Sequence, residues 1–109
     1  MTHEALVADA CLGWQIEKHG PLPLFVARAE TDRAASAAEL AQGPAFDNLM
    51  IAAANLRRAA TALGKEPRIF CVALDFALEE LSGSATAYRD AMIALMARIE
   101  VGLAAQGYD

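Results

Sequence analysis

A chain of 109 residues, 56% hydrophobic and 21% charged, is one domain at most and too apolar to be disordered. Its net charge of −5 excludes the basic footprint that a nucleic-acid backbone or an anionic membrane surface attracts, so neither is an expected partner. The opening Met1-Thr2-His3-Glu4-Ala5-Leu6 has no basic leader, and no run approaches the roughly 20 apolar residues of a bilayer span, which makes the cytoplasm the expected compartment.

Taken in order, Leu6, Val7, Ala10, Cys11 and Trp14 recur at steps of three and four and predict a helix from Thr2 to His19 with those side chains on one face. Thr2 is the candidate N-cap, and Lys18 and His19 occupy the last turn before Gly20. Pro21 and Pro23 forbid further helix. They open an apolar run, Leu24 to Ala29, that predicts a first strand with Arg28 near its exit. A short helix is predicted between Arg33 and Gln42, broken by Gly43-Pro44. From Phe46 to Leu63 a longer helix is predicted, with Asp47 as N-cap, a stripe of Leu49, Met50, Ala53, Leu56, Ala60 and Leu63, and Gly64 past its end. Arg57 and Arg58 are expected to point away from its packed side. Arg68 to Leu74 is a second apolar run, predicts a second strand and ends in Asp75. After Ser82-Gly83-Ser84, a last helix from Ala85 to Gln106 is striped by Tyr88, Met92, Leu95, Met96, Ile99 and Leu103 and closed by Gly107.

The expected fold is therefore α/β, in the order helix, strand, helix, strand, helix. The connection between the strands is long enough for a crossover helix, which implies a parallel, right-handed pair. Two strands leave edges and faces bare, so self-association or flanking sequence is expected to complete the sheet. Cys11 and Cys71 are expected as free thiols inside apolar elements, and Trp14, Met50, Met92 and Met96 as core packing.

In such sheets ligands bind beyond the carboxyl ends of the strands. Glu30, Thr31, Asp32 and Arg33 follow the first strand and Asp75 the second, so these groups are expected to share one rim. Carboxylates beside an arginine can orient a ligand, move a proton or hold a hard cation; the bland alternative is that they end strands and cap helices in solvent. His3 and His19 show no metal-ligand spacing, Ser36 and Ser84 lack the elbow that exposes a nucleophile, and the glycines are too scattered to cradle phosphate. No metal and no cofactor is expected.

The tip Leu24-Phe25-Val26-Ala27-Arg28-Ala29-Glu30-Thr31-Asp32 resembles the Gln-Gly-Glu-Ser strand end of sialate O-acetylesterase-like members of the SGNH hydrolase superfamily. Glu30 matches the motif's glutamate and Thr31 its serine; Arg28 and Ala29 stand where the family has glutamine and glycine. The helix, the second strand and the helix carrying Tyr88-Arg89-Asp90 are similar to the middle of that three-layer, flavodoxin-like fold. The resemblance implies a non-catalytic portion of an acyl-ester hydrolase, with Glu30 as a supporting carboxylate; Thr31, Asp32 and Asp75 are binding candidates by their place at the rim. The family's early nucleophilic serine and late histidine have no counterpart, so the chain is not expected to be active alone. The alternative is a self-contained α/β interaction module that homodimerises through a strand edge or an alanine-rich helix face.

Overall fold

The computed structural model describes residues 3–21, 23, 24, 26, 28, 36–74 and 84–108. In chain order the elements are α1 (His3–Glu17), α2 (Ala37–Leu40), α3 (Pro44–Ala62) and α4 (Ala85–Ala105). Among the described residues there is no strand, so the expected α/β, flavodoxin-like fold with its parallel strand pair gives way to a helical one. The cause lies in where each element finds its hydrogen bonds. A helix closes its own within the segment, whereas an apolar run becomes a strand only when another backbone accepts its ladder. Residues 68–74 form no ladder, and neither do the described members of the first run, residues 24, 26 and 28.

Local chemistry explains the helix boundaries. Ser36 caps α2 reciprocally with Glu39: the Glu39 N–H donates to Ser36 Oγ at 3.2 Å, and the Ser36 N–H donates to Glu39 Oε2 at 2.8 Å. α2 ends before Gly43-Pro44, as expected, and the same pair also starts the next helix. Pro44 occupies the first turn of α3, where its missing N–H has no intrahelical role, and Gly43 rather than Asp47 is the N-cap. Asp47 lies in the first turn. Ser84 caps α4 through a long bond from the Ala87 N–H, 3.5 Å.

Three helices end in the same left-handed turn. Past α3, Gly64 (φ +65°) donates to the Thr61 carbonyl and Lys65 to Ala60; past α4, Gly107 (φ +83°) donates to Ala104 and Tyr108 to Leu103. Past α1 the left-handed residue is His19 (φ +52°), not the expected Gly20, whose N–H instead reaches back to the Gln15 carbonyl.

The chain divides into two compact units, Met1–Ala29 with Cys71–Ala73, and Glu30–Phe70 with Leu74–Asp109. In the first, the half-buried positions of α1 are Ala5, Ala8, Cys11, Leu12 and Gln15. These are one helical face, but not the predicted one: Leu6, Val7, Ala10 and Trp14 are exposed, and Trp14 keeps 58% of its surface. Periodicity finds an apolar stripe without saying whether anything covers it.

The second unit holds a small core of Ala37, Ala53, Leu95, Ile99, Leu103 and Tyr108, flanked by Leu40, Phe46, Leu49, Met50, Ile69, Leu74 and Met92. The predicted stripes of α3 and α4 supply most of it; Leu63 and Met96 at their margins stay exposed. The contacts advance together along both helices. Arg98 lies over the Phe46 ring (4.5 Å), a Cβ on Gly102 would meet Met50 Sδ at 2.6 Å, and the Tyr108 hydroxyl donates to the Ala53 carbonyl at 2.6 Å. Thus α3 and α4 run in the same direction, with α2 packed on both.

Candidate functional site

The acidic tips expected to carry chemistry, Glu30, Thr31 and Asp32 with neighbouring Arg33, and Asp75, lie outside the described residues. The remaining sequence candidates separate. Ser36 and Ser84 are helix caps, an ordinary use of a hydroxyl at that position. His19 is exposed at the end of α1. Cys11 is half-buried, Cys71 is exposed, and both are free thiols. Among the described residues no three His, Cys, Asp or Glu side chains gather to hold a metal ion.

One polar cluster escaped sequence reading. Arg57 was expected to turn away from the packed face; its Nη1 instead donates to the Gly107 carbonyl at 2.7 Å, and its guanidinium stacks 5.7 Å from the Tyr108 ring centre. Gln106 Nε2 adds a bond to the Met50 carbonyl at 3.0 Å. The cluster clasps the carboxyl end of α4 to the middle of α3. A cation beside the last carbonyls of a helix complements its dipole, and here it also covers an aromatic ring. Tyr108 is 5% exposed, and burial raises its hydroxyl pKa. Glu39 shifts the other way: the Ser36 N–H and hydroxyl hold its carboxylate below the usual range. Arg58 does point outward, toward Asn55 on its own helix.

What the described surface offers instead of a catalytic constellation is uncovered apolar area. Seven hydrophobic residues are buried, three of them alanines, against thirteen large hydrophobic side chains left exposed. Two features organise part of that area. On α4, Ile93 (58% exposed) and Val101 (69%) stand with Ala97 on the side away from Leu95, Ile99 and Leu103, so the helix is apolar on two faces. Between α3 and α4, residues 65–74 follow neither turn nor bend, and every φ among them is negative. This is an extended segment. Ile69 and Leu74 anchor it on the core, while Phe70 (68%) and Val72 (39%) stay exposed. The N–H and C=O groups of Ile69, Cys71 and Ala73 take no part in the hydrogen bonds of the described residues.

Comparison with family models, curated proteins and solved structures finds no match to this chain. The class is therefore defined by the chain's own geometry: a helical protein with a small core, capped helices and extensive exposed apolar surface. No helix among the described residues is long and apolar enough to cross a membrane.

Proposed function

We propose that this chain is a helical protein-interaction module that self-associates and carries no catalysis of its own. The observation supporting this reading is the imbalance between the exposed large apolar side chains and the few residues that are buried. Burying apolar area contributes about 25 cal/mol per Å², and residues such as Trp14, Ile93 and Val101 gain most of it only when a second surface covers them. The alternative, a portion of an SGNH-type hydrolase, requires a sheet that the described residues lack.

Light scattering across a concentration series tests the reading. Dimers or larger assemblies that dissociate on dilution are expected. A sharp monomer peak at high concentration, with a cooperative melt, would remove its basis.

A further inference from the structure

Three methionines stand on α3 and α4 in unlike surroundings. Met96 is 57% exposed, while Met50 and Met92 are half-buried against the core of the second unit. Met50 differs from both in what it holds. A Cβ on Gly102 would stand 2.6 Å from Met50 Sδ and 3.5 Å from the Phe46 ring, so the thioether fills the space that the glycine leaves where α3 and α4 meet. The carbonyl of the same residue accepts a hydrogen bond from Gln106 Nε2 at 3.0 Å. Gln106 has nothing in reserve: its Oε1 is buried with no hydrogen-bond partner among the described residues. One residue thus carries both an apolar and a polar link between the two helices.

We infer that Met50 is a redox-sensitive latch, and that oxidation of its thioether by a hydroperoxide loosens α4 from α3. The sulfur lone pair attacks one peroxide oxygen, an S=O bond forms, the O–O bond breaks, and with hydrogen peroxide the second oxygen leaves as water. The sulfide gives up the two electrons that the peroxide gains. Methionine sulfoxide is polar and chiral where the thioether was apolar and flexible, and its oxygen needs a donor or water. Gly102 has no side chain to donate and the Phe46 ring carries no donor. The sulfoxide is therefore satisfied by leaving the contact for solvent, which a half-buried side chain can reach. With the sulfur withdrawn, α4 loses its packing on α3 at Gly102, and the single bond from Gln106 goes with it. Met96 already stands in solvent, so its oxidation lacks this consequence. The device is reversible: a methionine sulfoxide reductase returns the thioether, the oxygen leaving as water while two thiols become a disulfide.

Graded hydrogen peroxide on the full chain tests this, with oxygen uptake at each methionine read by peptide mass mapping and the docking of the helices by thermal melting. Chains oxidised at Met96 alone are expected to melt as untreated ones do. Chains oxidised at Met50 are expected to melt lower by about 5 °C or more, and the reductase to restore them. In a pH titration of tyrosinate absorbance, a component should move to lower pH as the Tyr108 hydroxyl leaves the Ala53 carbonyl. Met50→Leu conserves volume and is expected to abolish the peroxide-induced fall, whereas Met92→Leu and Met96→Leu retain it. The site-by-site comparison in the wild-type chain needs no variant. Met50 that takes up oxygen without a fall in melting temperature overturns the inference, as does a fall that persists in Met50→Leu, or Met50 that stays unmodified while the folded chain is oxidised at Met96.

Discussion

Two glycines show how one chemical change takes opposite signs in different surroundings. Gly13 lies within α1 with nothing within 4 Å of where a Cβ would stand, so Gly13→Ala is expected to stabilise the fold by up to about 1 kcal/mol through helix propensity. Gly102 lies within α4, where the same Cβ would stand 2.6 Å from Met50 Sδ and 3.5 Å from the Phe46 ring. There the Met50 side chain must shift to make room, a cost that outweighs the propensity gain, and Gly102→Ala is expected to lose about 1 kcal/mol net. Urea denaturation of both variants checks the pair; equal stabilisation would mean that Gly102 is not a packing contact. At Tyr108, burial favours the neutral phenol and so raises the folded-state pKa above the unfolded value. Its contribution is complete below the unfolded pKa of about 10 and is lost as pH rises through the folded value. Tyr108→Phe is expected to cost about 1 kcal/mol at neutral pH, the worth of the bond to the Ala53 carbonyl, and to flatten stability measured above pH 10.

At the scale of elements, the helix ends carry more of the design than the helix faces. The Ser36–Glu39 box is reciprocal, whereas Ser84 makes one long bond. Ser36→Ala is accordingly expected to cost about 1 kcal/mol and Ser84→Ala about half that, as read by thermal melting. The Glu39 pKa is lowered in the folded state, so its share of the cap is present above the unfolded carboxylate pKa and lost as pH falls through the folded one. An acid titration of stability in Glu39→Gln should lack that component. The clasp formed by Arg57, Gln106 and Tyr108 joins two helices that run in the same direction. Such helices cannot be linked by a tight turn, and the sequence between Ala62 and Ala85 is correspondingly long.

For the whole molecule, the chemistry of ester hydrolysis sets a demand this chain does not meet among its described residues. A nucleophile, a base within hydrogen-bond reach and donors for an oxyanion must converge, yet both candidate serines are engaged as caps and His19 ends α1. No turnover of aryl acetates above a buffer blank is expected, with Ser36→Ala and Ser84→Ala changing only stability. Saturable hydrolysis abolished by either substitution would show a catalytic serine where a cap is assigned. Exposed apolar area is a property of the same scale. Alanine fills several of the buried positions, and larger side chains of α1 and α4 such as Leu6, Trp14, Ile93 and Val101 stay exposed.

The sequence by itself determined what depends on neighbours in the chain. The last helix starts at Ala85 as predicted and ends within one residue of the predicted Gln106, and Gly64 and Gly107 take the left-handed positions their spacing implied. Short-range hydrogen bonds and the freedom of glycine at positive φ are local properties, readable from residues a few positions apart. The tertiary structure alone decided which apolar runs found partners. Leu24 to Ala29 and Arg68 to Leu74 have the composition of strands, yet their described residues form no ladder, because a ladder depends on distant backbones and nothing within either run states whether the other will meet it. Arg57 carried no signal in its spacing, since its place on the packed side follows from where α4 ends. The outward turn of Trp14 has the same origin: periodicity orients side chains relative to one another, and only packing decides which side of a helix faces the core.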